Sequence, residues 1–261
     1  MEYEMKKQIL DFTVISNDSL TTQYYLLKIH SPLLLPPILP GQFVEIRVDH
    51  APDVFLRRPI SIHFIDYVKN VMWLLIQRIG KGTEKLHELK PGDTLNLIVP
   101  LGNSFTLTPT LTHGKAVLIG GGVGIAPLLF LGSELSSKGI QCDFLLGAKS
   151  KENLLQLDEF ARYGNVFTTT EDGTHGEKGY VTTHSMLTNN AFDIIYSCGP
   201  TPMMKAVAKF ASKSDIMCEV SLENTMACGF GACLCCVTDS IDGHVCVCTD
   251  GPVFNINKLK W

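Results

Sequence analysis

Six of the nine cysteines crowd into the last stretch of the chain: Cys228, Cys233, Cys235, Cys236, Cys246 and Cys248. Thiols so concentrated mark a local site, and in a reducing compartment they point to metal ligation before disulfides. Cys228, Cys233 and Cys236 have the spacing C-x4-C-x2-C, and Cys248 follows after eleven intervening residues. Plant-type [2Fe-2S] sites use this arrangement, with three ligands on one tight loop and a fourth arriving later. Gly229 and Gly231 separate the first two ligands, and glycine lets backbone N–H groups turn toward sulfur. Cys235 is expected to point away from the site that Cys236 faces. Spacing leaves the fourth ligand open between Cys246 and Cys248, which stand two apart on what reads as one face of a strand. The rival chemistry is a four-thiolate zinc site, but zinc ribbons pair two C-x2-C knuckles and only one is present.

Three turns offer backbone N–H groups to phosphate, and one strand offers a guanidinium. Gly120, Gly121, Gly122 and Gly124, with Pro127 behind them, follow a buried strand and open a helix. There a pyrophosphate can approach the backbone and the positive end of the helix, though the string does not match G-x-G-x-x-G and reads equally as a tight strand–helix junction. Cys198-Gly199-Pro200 ends another strand before a second helix, and ligands of open α/β sheets bind at such carboxyl ends. Cys198 reads either as a neighbour of a nicotinamide or as an inert buried thiol. Arg57-Arg58-Pro59-Ile60-Ser61 reads either as a solvated strand edge or as a guanidinium and hydroxyl placed for a flavin dinucleotide. Gly80-Lys81-Gly82-Thr83, ahead of a short helix, is the third place.

The elements that must position these residues fall into three zones. Residues 1–108 show short β-branched runs such as 22–29, 42–48 and 71–79, separated by Pro-Gly turns. This pattern predicts an antiparallel barrel or sandwich with one helix near Thr83–Leu89. Residues 109–217 alternate buried strands (116–119, 144–146, 166–169, 192–197) with helical stretches (128–135, 202–211). That rhythm predicts a parallel α/β sheet. Residues 218–261 are too few to close an apolar core alone, so ligation is expected to hold them.

Bulk composition narrows the function. A net charge of -4 gives no basic excess for nucleic acid or an anionic membrane face. The N-terminal Met1–Lys7 lacks a signal-peptide layout, and glycines break the apolar window 116–131, so a cytoplasmic protein with no membrane span is expected. The eight histidines form no metal-binding motif, and no acid–base set for substrate chemistry is evident.

Taken in order, these motifs resemble the ferredoxin reductase superfamily. More narrowly, the whole chain resembles the electron-transfer subunits of type B dihydroorotate dehydrogenase. The match rests on Arg58–Ser61, Gly80–Thr83, Gly120–Pro127, Cys198–Pro200, Ser221–Cys233 and Cys248-Thr249-Asp250-Gly251-Pro252-Val253-Phe254. The resemblance implies FAD on Arg58, Pro59, Ile60 and Ser61, on Leu75, Ile76 and Gln77, and on Gly82 and Thr83. Family members often carry an aromatic and an arginine where this chain has Ile76 and Gln77. It further implies NAD at Gly120, Gly121, Gly122, Gly124, Cys198, Gly199 and Pro200. Cys248 becomes the fourth cluster ligand, beside Cys228, Cys233 and Cys236. Lys149 and Lys151 would suit a 2′-phosphate, but the resemblance favours NAD over NADP.

The implied architecture is a flavin-binding barrel, a nucleotide-binding α/β domain and a small C-terminal [2Fe-2S] module. The implied partner is an FMN-containing catalytic subunit, two of each subunit forming a heterotetramer in pyrimidine biosynthesis. Hydride transfer moves two electrons and an iron–sulfur cluster moves one, so the flavin stands between nicotinamide and cluster. The rivals are an NADH-dependent reductase for a ferredoxin, oxygenase or hydrogenase, and a zinc-stabilised nucleotide-binding module without turnover.

Overall fold

A computed structural model of the chain describes residues 7–109, 113–189 and 191–260, so the N-terminal segment 1–6 lies outside the described residues. The first zone forms a curled antiparallel sheet, a half-barrel. Its strands are β1 (Gln8–Ser19), β2 (Tyr24–His30), β3 (Phe43–Ile46), β4 (Arg58–Ser61), β5 (Phe64–Asp66), β6 (Val71–Gln77) and β7 (Thr94–Leu101). They lie in the order β4-β3-β7-β1-β2-β6-β5. Period-two alternation drives Phe12 and Val14 of β1, Val44 and Ile46 of β3, and Leu74 and Ile76 of β6 into one buried cluster. A single helix, α1 (Lys81–His87), follows β6.

The second sheet holds β8 (Lys115–Gly121), β9 (Gln141–Ala148), β10 (Asn165–Thr170), β11 (Glu177–Lys178), β12 (Ile194–Cys198), β13 (Met217–Ser221) and β16 (Val253–Asn255). The order is β11-β10-β9-β8-β12-β13-β16, with every pairing parallel except β13 with β16. The near-continuous apolar runs of β8, β9 and β12 fit a sheet buried on both faces. Helices α2 (Ala126–Ser137), α3 (Leu157–Ala161), α4 (Met186–Asn189) and α5 (Thr201–Lys213) connect these strands. A small hairpin of β14 (Val237–Ser240) and β15 (Gly243–Cys246) stands apart from both sheets. Among the described residues no helix is long and apolar enough to cross a membrane.

Two expectations change here. The boundary at 217/218 runs through β13, and β16 returns to pair with it, Ser221 opposite Val253. The segment 218–260 therefore contributes most of β13 and all of β16 to the second sheet. Val220, Leu222, Met226, Cys236, Val247 and Cys248 pack in one cluster with Val117, Ile119, Ile195 and Val207, so apolar burial as well as ligation holds this segment. Cys246 also closes β15 while Cys248 lies in the turn beyond it, which removes the same-face argument between them.

The two sheets lock together through side chains at their seam. Tyr196 Oη donates to Thr106 O, and the Glu219 carboxylate accepts from Thr106 N at 2.9 Å and Oγ1 at 2.6 Å. Buried His63 hydrogen-bonds Ala126 O through Nδ1 at 2.8 Å, and burial lowers its pKa to about 4, so it is neutral at pH 7. Asn103, just past β7, donates through Nδ2 to Asp250 O and Val253 O and accepts from Val253 N. The half-barrel thus holds both ends of the 250–253 turn.

Candidate cofactor cleft and cluster loop

A cleft of about 520 Å³ opens where the two sheets and the cysteine segment meet. Arg58, Pro59, Ile60 and Ser61 of β4, Leu75, Ile76 and Gln77 of β6, and Gly82 and Thr83 of α1 all line it. Val123 and Ala126 close the nucleotide side, and Ser221 to Met226 form a wall from the cysteine segment. A volume of this size with an apolar lining and a few polar groups is typical of a cofactor site.

Each flavin candidate is placed by the half-barrel. β4 is an edge strand paired only to β3, which turns its other edge toward the cleft. Arg58 donates to Leu56 O at 2.7 Å and to Arg57 O at 3.2 Å, which fixes its guanidinium as a cation at the rim. Arg57 turns away, donating to Glu45 O and to Asn96 O and Oδ1. The Leu75 side chain enters the cluster between the sheets and that of Ile76 the half-barrel core, which leaves their backbone to the cleft. The Thr83 hydroxyl accepts from Ile79 N and Gly80 N and donates to Gly80 O, so it closes its own helical turn and is committed before any phosphate arrives.

The glycine turn is a 3-10 turn, Gly122–Ile125, inserted before α2, with Pro127 in the first turn of the helix as expected. A Cβ on Gly124 would overlap the backbone of Cys198 and Gly199. Glycine here brings the two nucleotide turns into contact, and the adjoining residues Val123 and Ala126 reach the cleft. Cys198 is 0 % exposed, and its Sγ lies 4.0 Å from Glu223 Oε1 on the cleft wall. Burial, reinforced by Glu223, holds this thiol well above the usual range, so it is protonated and unreactive at pH 7. Lys149 and Lys151 are exposed beyond the carboxyl end of β9, where their backbones bond Asp172 N and Thr174 Oγ1.

In the cysteine loop the backbone sorts the sulfurs. Cys228 accepts from Phe230 N, Cys233 from Cys235 N, Cys236 from Cys248 N, and Cys248 from Gly231 N at 3.1 Å. The last bond needs Gly231 at φ +85, a left-handed conformation that glycine adopts without strain. Among the described residues neither Cys235 nor Cys246 receives a backbone N–H on sulfur. Desolvation opposes ionisation of Cys228, but N–H groups of Phe230, Cys233 and Ala232 and the Cys233 thiol outweigh it and bring its pKa to about 6.

The thiols fall into two pairs. Cys233 is a close neighbour of Cys228, and Cys248 and Cys246 are close neighbours of Cys236. No three His, Cys, Asp or Glu side chains among the described residues converge as a single ion would need. Two irons taking two thiolates each fit this donor set; one tetrahedral zinc asks for all four together.

Two features escaped sequence reading. The Ser221–Met226 wall was visible only as a lead-in to the cysteines; its single acid, Glu223, was the available signal. Glu45 on β3 is 0 % exposed with neither carboxyl oxygen hydrogen-bonded, although its strand position gave no hint of this burial.

Comparison with known proteins agrees with this geometry. Residues 223–260 match the family model for the iron–sulfur cluster binding domain of dihydroorotate dehydrogenase B, and 118–209 match the oxidoreductase NAD-binding domain. The dihydroorotate dehydrogenase B (NAD(+)) electron transfer subunit of Geobacillus sp. (strain WCH70) is 37% identical over 250 residues, 95% of this chain and 96% of the relative. That of Fusobacterium nucleatum subsp. nucleatum is 37% identical over 259 residues, 97% of this chain and 99% of the relative. A chain from the structure of an NADH-dependent reduced ferredoxin-NADP oxidoreductase superposes with a TM-score of 0.85 at 30% identity, covering 96% of this chain and 90% of the other. The ferredoxin reductase in carbazole 1,9a-dioxygenase shares the fold, with a TM-score of 0.68 at 20% identity over 82% of this chain and 68% of the other. With a flavin cleft, a nucleotide turn and a paired-thiol loop meeting in one place, the chain belongs to the family of dihydroorotate dehydrogenase B electron transfer subunits.

Proposed function

We propose that this chain carries electrons from an FMN-containing, dihydroorotate-oxidising catalytic subunit to NAD, within a cytoplasmic heterotetramer of two of each subunit. The observation that carries the reading is the wall Ser221–Met226. It lines the cofactor cleft and runs on to Cys228, so cleft and cluster loop share one short piece of chain. Residues 1–108 serve the flavin, 109–217 the nicotinamide and 218–261 the cluster, with the seams crossed by β13 and β16.

Within this division, Arg58 and Ser61 would hold the FAD pyrophosphate, with Leu75, Ile76, Gln77 and Gly82 lining the same cleft. Pro59, Ile60 and Thr83 shape the pocket. Gly120, Gly121, Gly122 and Gly124 with Cys198, Gly199 and Pro200 form the nicotinamide side. Cys228 and Cys233 would hold one iron and Cys236 and Cys248 the other. When bound, FAD exchanges electron pairs with nicotinamide and single electrons with the cluster. The protein's own contribution is positional. Buried, protonated Cys198 presents no competing nucleophile, Glu223 supplies the carboxylate at the cleft wall, and the packed Met226 keeps water out between cleft and loop.

The test is anaerobic reduction of the purified holoprotein with NADH, followed optically and by electron paramagnetic resonance. Flavin bleaching followed by a [2Fe-2S] signal is expected, and a zinc-loaded protein or no signal refutes the reading. The 30% identity to the NADH-dependent reduced ferredoxin-NADP oxidoreductase chain supports a second reading, a reductase for ferredoxin. Co-purification of the catalytic subunit, or its replacement by a ferredoxin, separates the two.

A further inference from the structure

We propose that Tyr24, a residue of the flavin half-barrel, is a positioning residue for the nicotinamide dinucleotide: its hydroxyl reaches across the seam and donates to a pyrophosphate oxygen lying over Gly122. This rests on the reading of the glycine turn as the nicotinamide side. No bond to the ligand is made or broken in a chemical step at Tyr24; its part is to hold the dinucleotide against the turn.

The glycines of that turn do different work. A Cβ on Gly120 would stand 2.8 Å from Ile125 Cγ2 and one on Gly121 2.6 Å from Met203 Sδ, while one on Gly124 would overlap the backbone of Gly199. These positions are glycine because the protein itself packs against them. Gly122 differs. Outside its own stretch of chain, the one described atom within 4 Å of its Cβ position is Tyr24 Oη, at 3.7 Å. Gly122 also has φ +57 and opens the 3-10 turn Gly122–Ile125. The turn thus offers a ligand an open place at Gly122, and the Tyr24 hydroxyl forms its wall.

The half-barrel explains why a hydroxyl stands there. Tyr25 and Leu27 of β2 enter the half-barrel core, so Tyr24 and Leu26 face the other way, into the cluster shared with Leu118 and Leu128 of the nucleotide domain. Tyr24 N donates to Thr21 Oγ1 at 3.2 Å, and Tyr24 O accepts from Leu20 N at 2.9 Å and Thr21 N at 3.1 Å, which fixes its backbone. The residue is 7 % exposed, yet among the described residues its hydroxyl has no hydrogen-bond partner. A buried hydroxyl without a partner is costly, and the open space over Gly122 is where a partner fits. Burial also raises the phenol above its ordinary value, so at pH 7 it is a neutral donor, the form that suits an anionic oxygen.

Phosphate is the chemistry that matches the place. At the first glycine turn of a parallel sheet a pyrophosphate lies against the backbone ahead of the helix. Tyr24 stands opposite Gln77, which lines the flavin cleft, so its hydroxyl sits on the border between the two cofactor sides. A dinucleotide reaching from the carboxyl end of β8 toward the flavin passes this border.

The experiment compares wild-type holoprotein with Tyr24→Phe in NADH oxidation with a small dye as acceptor. Phenylalanine keeps the ring and removes the hydroxyl alone. KM for NADH is expected to rise about tenfold, as for one lost hydrogen bond to a charged group, with kcat, FAD content and visible spectrum unchanged. ADP-ribose, which carries the pyrophosphate without the nicotinamide, is expected to weaken by the same factor as a competitive inhibitor. An unchanged KM overturns the proposal. So does a raised KM with undiminished ADP-ribose inhibition, which would move the hydroxyl to the nicotinamide ring, and so does loss of FAD, which would assign it to the flavin. A wild-type holoprotein that does not oxidise NADH would instead refute the nicotinamide reading on which the proposal depends.

Discussion

Cys246 and Cys248 are two residues apart and both lie against Cys236, yet only Cys248 accepts a backbone N–H, from Gly231. Burial pushes the Cys248 thiol up to about 12, and the Gly231 N–H works against that rise; an N–H aimed at sulfur stabilises the thiolate that a ligand must become. Cys246→Ser is therefore expected to keep full iron and sulfide content and an unchanged visible spectrum. Cys248→Ser is expected to lose the cluster or shift its spectrum strongly. Equal loss in both would return the fourth ligand to dispute. Glu45 gives a second expectation, in stability. Its carboxyl stays protonated to about pH 7 in the folded chain, against an ordinary value of 4.5. The folded state then binds more protons than the unfolded chain, so this group favours folding in acid, and that contribution is lost as pH rises through about 7. The swing is on the order of 3 kcal/mol. Denaturant titrations at several pH values should show the decline in the wild type and a flatter profile in Glu45→Gln, and an identical decline would place it on other groups.

At the level of elements, the strand–turn–helix from Lys115 to Ser137 was legible because a buried parallel strand, a glycine run and a proline at the helix start each leave a pattern in the residues. Of the half-barrel strands, β2, β3, β4 and β6 were legible through alternation and Pro-Gly turns, while β1, β5 and β7 went unread; in β1 the register shifts between Val14 and Ser16, which interrupts the period. What stayed hidden has physical causes. Glu45 reads as an outward residue because charge in a strand usually meets water, and only the loop folded over it makes it interior. The Ser221–Met226 wall has no periodicity, since it follows β13 as irregular chain. Gly124 was read as room for pyrophosphate and Gly199 as part of a ligand-binding turn at a strand end, and the contact between their two turns depends on strand order, which single segments do not encode. Gly124→Ala is expected to force those turns apart, costing about 1–3 kcal/mol and raising KM for NADH more than it lowers kcat. An unchanged KM would show that the turns do not shape the nicotinamide side. Asn103→Ala removes three hydrogen bonds to the 250–253 turn and is expected to cost about 2–4 kcal/mol, read as a lower unfolding midpoint.

For the whole molecule, the cysteine loop stands at the surface while the cleft lies between the sheets. Cys233 and Cys235 are exposed, and Phe230 and Leu234 beside them leave 50% and 64% of their surface in solvent. Apolar side chains at the tip of a redox loop suit a partner that must come close to deliver single electrons. Leu234→Glu is expected to weaken the complex with the catalytic subunit tenfold or more in co-purification or sedimentation, with iron and flavin content unchanged. Undiminished association would move the interface elsewhere.

The pairing of Ser221 with Val253 means that the ligand-bearing excursion, residues 222–252, departs and re-enters at adjacent positions of one ladder. A loop whose ends already touch can be lengthened, shortened or exchanged with little strain on the frame that carries it. The iron-binding portion is in this sense a plug-in terminal on a two-electron machine. Replacing only the stretch beyond the Ser221–Met226 wall with a short turn should leave a diaphorase that still bleaches with NADH and passes electron pairs to small dyes, while its one-electron terminal is gone.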